Sequence, residues 1–475
     1  MSLPDLIEIV PLTKPVQAEI TVPGSKSITN RALILAALAK DETTLQGALW
    51  SEDTQVMVEC LQKLGFTVNV APDPDEFCNR TITVHGLGGK IPNAGTVAQP
   101  LELFVGNAGT AARFLSALVC LGDGVYRLSG VPRMHERPQA ALFGALRELG
   151  YRVDSTAQRL PVSIRGIGPS LGKCQVSIEE SSQFASALLL CASIGGWQVE
   201  VVGYNPEESP YIEMTSKLIE AFPKSGGLFQ IEPDASSGSY FIAMNRFLAP
   251  TEFMEYSETF GTEVQTTLFN TVKVANWPIS GWQIDGEFER VIRSISSLHS
   301  LLRRRDNVKH PNKDDKLIQK SINVTWPNGA VISRKRDLGD SIMTAIVLAP
   351  FAQQPIRFSD LGRLRVQECE RVMALRVELT KCGAGVIESG DTLEVVPSEL
   401  HGAEIETYND HRMAMCFAIL GLKVPGIKIK NPACVKKTFP NFFQKLAAAP
   451  PVGLGATILD AKTQKQLAET ELFAD

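Results

Sequence analysis

VPGSKSITNRALILAALA, residues Val22 to Ala39, holds the pattern on which the reading of the whole chain turns. Ile28, Ala32, Leu35, Ala36 and Ala39 fall at helical spacing, so a helix is expected to start near Ser25–Ser27. Pro23 and Gly24 punctuate the chain just before it. The first-turn amides of such a helix have no intrahelical partner, and they carry the positive end of its dipole. Lys26 and Ser27 add a cation and a hydroxyl at that end, and Arg31 lies one turn beyond Ser27. These are the parts of an anion seat. A P-loop is a poor match, because Ser25 separates Gly24 from Lys26 and no glycine stands where that loop's first one belongs.

The same opening recurs along the chain. VGNAGTAARFLSALVCLG (Val105–Gly122) puts Asn-Ala-Gly-Thr ahead of an apolar helix, and EESSQFASALLLCASIGG (Glu179–Gly196) does so with Ser181, Ser182 and Gln183. In the second half follow EPDASSGSYFIAMNRFLA from Glu232, DLGDSIMTAIVLAPFA from Asp337 and YNDHRMAMCFAILGL from Tyr408. Between them runs a second phrase, as in MVECLQKLGFTVNV (Met57–Val70), LFGALRELGYRVDS (Leu142–Ser155) and MALRVELTKCGAGVIE (Met373–Glu388). Each of these reads as an amphipathic helix stopped by Gly and followed by a strand. The repeating unit is therefore mixed α/β, with a spacing of roughly 70 to 105 residues, far longer than a solenoid period. Three units per half predict two similar domains, with buried helices inside and sheets outside. If two such domains face one another, their helix N-termini make a strong anion trap.

The bulk properties fit a globular protein with two or three cores. The chain has 475 residues, 44% hydrophobic and 21% charged, with a formal net charge of −5. That balance gives no general pull toward nucleic acid or an anionic membrane, so an anion site has to be built locally. Apolar runs are too short for a membrane span, and no signal or transit pattern is visible at the start. Nine scattered cysteines without a C-x-x-C pair read as thiols of a reducing compartment, predicting a cytoplasmic protein. Six histidines without an H-E-x-x-H pattern give weak support to a metal.

Basic residues gather in short stretches: Arg133 in GVPRMHERPQ, Arg365 and Arg371 in LRVQECERVMAL, Arg412 in TYNDHRMAM, Lys436 and Lys437 in KKTFP. Arg suits bidentate carboxylate and phosphate recognition, and Lys is a compact charge. Asp340 and Glu368, each expected at a helix start, and Asp410 stand beside these cations. A carboxylate in that setting stays ionised, as a general base must. For a single arginine, an ordinary charge-balancing ion pair is the plainer explanation. The set taken together is different. PGSKSITNRAL, GNAGTAARF, PRMHERP, ESSQFASALL, PYIEMT, DASSGSYFIA, RVQECER, YNDHRMAM and KTFP occur in one order between Val22 and Phe443. In this the chain resembles the 5-enolpyruvylshikimate-3-phosphate synthases of the enolpyruvyl transferase family.

The resemblance implies an α/β fold of two domains, each of three βαβαββ-type repeats, closing over the substrates. It places one domain at residues 22–233, with the other formed by 1–21 and 234–450 and a tail of unread role at 451–475. It implies transfer of the enolpyruvyl group of phosphoenolpyruvate to the 5-hydroxyl of shikimate 3-phosphate, releasing phosphate, with no metal and no organic cofactor. Shikimate 3-phosphate would be held by Lys26, Ser27, Arg31, Ser181, Ser182, Gln183, Tyr211 and Asp340, with Arg363 and Gln367 nearby. Phosphoenolpyruvate would be held by Lys26, Gly109, Arg133, Gln183, Arg371, Arg412 and Lys437. Asp340 would take the hydroxyl proton, and Glu368 with Lys26 would move protons at the methylene carbon. A monomer is expected, without nucleic-acid or membrane partners.

The sequence departs from the family pattern in places. Gln367 stands where the family has Lys, and Arg363 restores a cation nearby. Glu208 aligns with the usual Ser ahead of Tyr211, with Ser209 one residue along. Phe114 replaces a Pro common in bacterial members, which leaves inhibitor sensitivity open. Residues 286–321 form a longer, charged insert read as a solvated loop. Three other readings compete. The sister enzyme acting on UDP-N-acetylglucosamine has Asn after the opening Lys, where this chain has Ser27. An RNA 3′-phosphate cyclase has only the basic insert in its favour. A non-catalytic anion-binding homologue has only Gln367 and the displaced Ser.

Overall fold

A computed structural model describes residues 3–203, 205, 208–247, 251–257, 262–268, 271–292 and 330–474. Most of the insert expected at 286–321 lies outside the described residues. The chain divides into two compact units, one of Met1–Thr21, Ala235–Trp277 and Ile284–Asp475, the other of Val22–Asp234 and Pro278–Gln283. The short return of Pro278–Gln283 to the second unit has no counterpart in the sequence reading. There Trp282 stacks on Phe229 at 6.0 Å, and Gln283 donates to the Pro233 carbonyl at 2.8 Å.

All six apolar stretches are helical: Lys26–Leu38, Gly109–Leu118, Ser182–Gly195, Ala235–Phe247, Ile342–Leu348 and His411–Gly421. In the Val22–Asp234 unit the first three pack on one another, burying Ile28, Leu33, Phe114, Leu115, Phe184 and Leu188. In the other unit the last three do the same. Each fully buried large side chain contributes roughly 1.5–3 kcal/mol through removal from water, which is why these helices are apolar around most of their circumference rather than along one stripe.

Sheets built on one plan accompany these helices. In the Val22–Asp234 unit, Leu101–Phe104 runs parallel to Asp123–Ser129, which pairs antiparallel with Val162–Ile167, itself antiparallel to Arg152–Asp154. The helix Gly109–Leu118 links the two parallel strands, as such a crossover requires. In the other unit, Ala330–Ser333, Ile356–Ser359, Thr392–Val396 and Gly385–Ser389 repeat that order. The phrase of amphipathic helix, Gly and strand is seen at Glu52–Lys63, Ala140–Glu148 and Arg371–Lys381. Its stop glycines Gly65, Gly150 and Gly383 have φ of +95°, +91° and +92°, a backbone conformation that glycine adopts without strain.

Two further four-stranded sheets borrow a strand from a distant part of the chain. Gly227–Gln230 joins Glu42–Leu49, and Leu6–Ile9 joins Ile427–Lys430. The tail contributes Ile458–Asp460 to the latter sheet, against Leu6–Ile9. The remaining repeat of the Val22–Asp234 unit is reduced to a parallel pair, Gly172–Ser177 with Trp197–Val202, and in the other unit Gln17–Ile20 pairs parallel with Thr271–Val274 while Thr251–Ser257 and Thr262–Leu268 form a separate antiparallel pair. In the first case the reason is visible in the chain path: Gly227–Gln230, which follows that repeat, is used by the Glu42–Leu49 sheet.

The two segments that enter and leave the Val22–Asp234 unit are tied together beside the opening motif. Gly24 bridges Pro233, Ser25 N–H donates to the Glu232 carbonyl at 2.8 Å and Asp234 N–H to the Pro23 carbonyl at 2.8 Å. A Cβ at position 24 would lie 1.9 Å from the Gly47 carbonyl oxygen, so glycine is required there by close approach. Among the described residues no helix is long and apolar enough to cross a membrane.

Candidate active site

The unit containing Ala235–Trp277 gathers a dense charge cluster where helix starts meet. Asp340 lies just before the Ile342–Leu348 helix and takes Arg334 Nη2 at 2.9 Å, Arg412 Nε at 3.2 Å and Arg371 Nη1 at 3.8 Å. Glu368 binds Arg371 Nη2 and Lys437 Nζ, each at 2.8 Å. Asp410 caps the His411–Gly421 helix through the Arg412 N–H at 2.8 Å and grips Arg371 from the side. Gln367 accepts from Arg371 as well. Four cations thus face three carboxylates. Arg412 also reaches the Tyr240 hydroxyl at 3.5 Å.

Glu368 was expected at a helix start, and this is corrected by the structure. The helix begins at Arg371, and its cap is Glu370, whose carboxylate accepts the Met373 N–H. Glu368 lies in the turn before it and is directed at Arg371 and Lys437 instead. Arg363 is half-buried on the preceding turn, Gly362–Val366.

The electrostatics follow from this geometry. Burial by itself would raise the Asp340 pKa, but the Arg412, Arg334 and Arg371 charges outweigh it and hold the carboxyl well below its usual range. Glu368 is held down in the same way, burial opposing and Arg371 and Lys437 prevailing. Burial first and the Arg412 charge second push the His411 imidazole down to about 3, so this ring is neutral. Burial, then Asp410, push the Cys369 thiol up to about 12, which removes it as a nucleophile near neutral pH.

The Val22–Asp234 unit holds a second set. Lys26, first residue of its helix, pairs with Asp53 at 3.2 Å, and Ser27 beside it is half-buried. Arg31 is buried, donating to Thr215 Oγ1 at 2.8 Å, the Ser27 carbonyl at 2.9 Å and Ser186 Oγ at 3.1 Å. Its guanidinium lies 5.4 Å from the centroid of the Phe114 ring. Burial lowers its pKa to about 10, against the opposing influence of Tyr211 and Glu208. Gly109 opens its helix with the guanidiniums of Arg113 and Arg137 against it, where a Cβ would lie 2.5 and 2.6 Å from them. Arg113 donates to Gln183 Oε1 at 2.8 Å, joining two of the sequence motifs.

Ser181 caps the Ser182–Gly195 helix by accepting the Gln183 N–H at 3.3 Å. Tyr211 is half-buried on the Ser209–Ala221 helix. Arg133 is exposed and pairs with Glu136, and the bonds above do not include it. Sequence reasoning did not select Arg113, Arg137, Arg334, Asp53 or His411. Arg113 lay inside a quoted motif one turn after Gly109, and Arg334 belongs to the basic run Arg334–Arg336, so both had a local signal. Asp53 had none, because nothing in sequence links it to Lys26.

The family model for EPSP synthase (3-phosphoshikimate 1-carboxyvinyltransferase) matches residues 10–225 and 258–446. The chain belongs to the EPSP synthase family. Relatives named 3-phosphoshikimate 1-carboxyvinyltransferase include those of Trichormus variabilis, 34% identical over 463 residues (93% of this chain, 98% of the relative), and Opitutus terrae, 35% identical over 463 residues (94% and 98%). A solved EPSP synthase from Acinetobacter baumannii superposes with a TM-score of 0.65 at 19% identity, covering 95% of this chain and 99% of the other. The enolpyruvyl transferase NikO from Streptomyces tendae gives a TM-score of 0.58 at 15% identity, covering 98% and 100%. At these identities the structural likeness establishes the enolpyruvyl transferase fold. Among the described residues no group of three or more His, Cys, Asp or Glu is arranged to hold a metal.

Proposed function

We propose that this chain, as an EPSP synthase family member, transfers the enolpyruvyl group of phosphoenolpyruvate to the 5-hydroxyl of shikimate 3-phosphate and releases phosphate. The observation that carries the chemistry is the pair Asp340 and Glu368, ionised carboxylates held among Arg334, Arg371, Arg412 and Lys437. Addition–elimination at an enol phosphate needs such a pair. The hydroxyl oxygen adds to C2 of phosphoenolpyruvate while a proton goes to its methylene carbon. Loss of phosphate from C2 and of a proton from the resulting methyl group restores the double bond. Asp340 is suited to take the hydroxyl proton and Glu368, with Lys26, to move the carbon proton. The cations stabilise the negative charge that the intermediate concentrates.

In this reading Arg371, Arg412 and Lys437 hold the carboxylate and phosphate of phosphoenolpyruvate, with Lys26, Gly109, Arg133 and Gln183 assigned to the same substrate. Ser27, Arg31, Ser181, Ser182, Gln183 and Tyr211 are assigned to shikimate 3-phosphate, with Asp340, Arg363 and Gln367. Action as a monomer in the cytoplasm is part of the proposal, and the nine free cysteines support a reducing compartment. The test is phosphate release from phosphoenolpyruvate with and without shikimate 3-phosphate. Release is expected only with both, and release indifferent to the second substrate would overturn the assignment.

A further inference from the structure

We propose that Glu208 is a built-in anion seated where the phosphate of shikimate 3-phosphate binds, and that its displacement sets the affinity for that substrate. The inference rests on the reading above, in which Ser181, Ser182 and Gln183 receive the phosphorylated acid. Ser182 is the first residue of a 14-residue helix, and its N–H is one of the donors at the positive pole that an anion would use. In this structure that N–H donates to Glu208 Oε2 at 2.6 Å, and the Ser182 hydroxyl donates to the same oxygen at 2.5 Å.

The carboxylate reaches across to do this. Glu208 is by position the N-cap of the Ser209–Ala221 helix, yet its side chain makes no cap bond there and turns instead to the neighbouring helix. It is only 5% exposed. Arg31 is bonded to both helices that Glu208 touches, through Ser186 on the Ser182–Gly195 helix and Thr215 on the Ser209–Ala221 helix, and the Glu208 charge favours its protonated form. The guanidinium is fixed by Thr215, Ser27 and Ser186, and Ser186 lies one turn beyond Ser182 on the same helix. A helix pole and a hydroxyl, with a buried guanidinium anchored one turn further along the same helix, favour an anion here, and the occupant is a carboxylate of the chain itself.

A buried carboxylate and a phosphate dianion cannot share such a seat, since two anions within about 4 Å repel strongly away from bulk water. Binding is therefore an exchange, in which shikimate 3-phosphate displaces Glu208 and its apparent affinity is reduced by the work of doing so. The contrast is Asp285 in the other unit, which also sits on helix starts. It takes bonds from Ser236 of one helix and from Gly339 and Ser341 before another, and so clasps two helix starts together, whereas the Glu208 oxygen takes the N–H and hydroxyl of Ser182 at one.

The full-length protein is compared with Glu208→Ser, Glu208→Gln and Glu208→Asp by steady-state kinetics in both substrates and by calorimetric binding of inorganic phosphate alone. Removing the charge is expected to lower the KM for shikimate 3-phosphate tenfold or more and to tighten phosphate binding in parallel, with a much smaller change in the KM for phosphoenolpyruvate. Glu208→Gln keeps an acceptor for Ser182 and so controls for loss of fold, and Glu208→Asp keeps the charge and is expected to show no gain. Phosphate affinity and KM that stay level or worsen in both neutral variants would overturn the proposal and leave Glu208 a structural cap. Tighter phosphate binding in a protein that does not turn over shikimate 3-phosphate would uphold the seat and overturn the proposed reaction instead.

Discussion

Asp410 holds Arg371 at two points, Nε to Oδ2 at 2.7 Å and Nη2 to Oδ1 at 3.2 Å, and the two side chains are 0% and 1% exposed. The same carboxylate accepts the Arg412 N–H. One buried anion therefore orients the Arg371 guanidinium and holds the backbone of Arg412 at its helix start. Removing one partner of a buried ion pair leaves the other uncompensated, at a cost of about 3–5 kcal/mol. Asp410→Asn is expected to lower unfolding stability by that order and to raise the KM for phosphoenolpyruvate. Urea unfolding within about 1 kcal/mol of the parent would mean that Glu368 and Asp340 suffice to hold Arg371.

Asp340 and Glu368 raise a different issue, because a base held far below its usual range by arginines is a weak one. An incoming phosphoenolpyruvate carboxylate takes up part of the charge of Arg371 and Arg412, which raises the pKa of Asp340 toward a useful value. The acid limb of kcat, which reports the bound enzyme, is thus expected at higher pH than the limb of kcat/KM, which reports the free one. Asp340→Ala and Glu368→Ala are each expected to reduce kcat by a hundredfold or more while substrate binding stays measurable by calorimetry. Near-normal turnover in either variant removes that residue from the catalytic assignment.

What the sequence made legible follows from the range of the physics involved. The six buried helices are local matters of spacing and capping, and Ser25, Ser181 and Asp410 stand at the N-cap positions. The stop glycines are local too. Pairings across the chain are not: Arg113 with Gln183 spans 70 residues and Arg371 with Asp410 spans 39, and no periodicity encodes either. Glu208 was visible as a departure from the family pattern, but its target on a different helix was not. The strand Ile458–Asp460 is three residues long, too short for alternation to betray it.

His411 ties the fold's acid sensitivity to the same cluster. Its imidazole is 3% exposed, and burial followed by the Arg412 charge lowers its pKa to about 3, against about 6.5 in an unfolded chain. The native state therefore refuses a proton that the unfolded state accepts. Stability from this group is present above about pH 6.5 and falls as pH drops toward 3, at up to about 1.4 kcal/mol per pH unit. Asp340, Glu368 and Asp410, whose pKa values are also lowered, act in the same direction, mainly below about pH 5. Between about pH 6.5 and 5, His411 therefore gives the largest loss of these four groups. Urea midpoints across that range are expected to fall less in His411→Asn than in the parent, and equal losses would place the acid sensitivity elsewhere.

Lys26 is assigned to both substrates, and its ammonium pairs with Asp53 at 3.2 Å, with the two side chains 27% and 21% exposed. A pair so accessible to water is worth little to stability, so its ammonium can turn from Asp53 to an anion at small cost. Lys26→Arg keeps the charge, but it exchanges a compact ammonium for a planar fork that does not release a proton near neutral pH. If Lys26 only attracts anions, Arg retains most of the affinity and the rate. If it also moves the proton at the methylene carbon, affinity largely survives and turnover falls by roughly a hundredfold or more, the scale of lost acid–base help. The second outcome is expected, with KM values for both substrates within a few-fold of the parent's. Turnover of Lys26→Arg within a few-fold of the parent would reduce Lys26 to an electrostatic anchor and leave the proton transfers to Glu368 and Asp340.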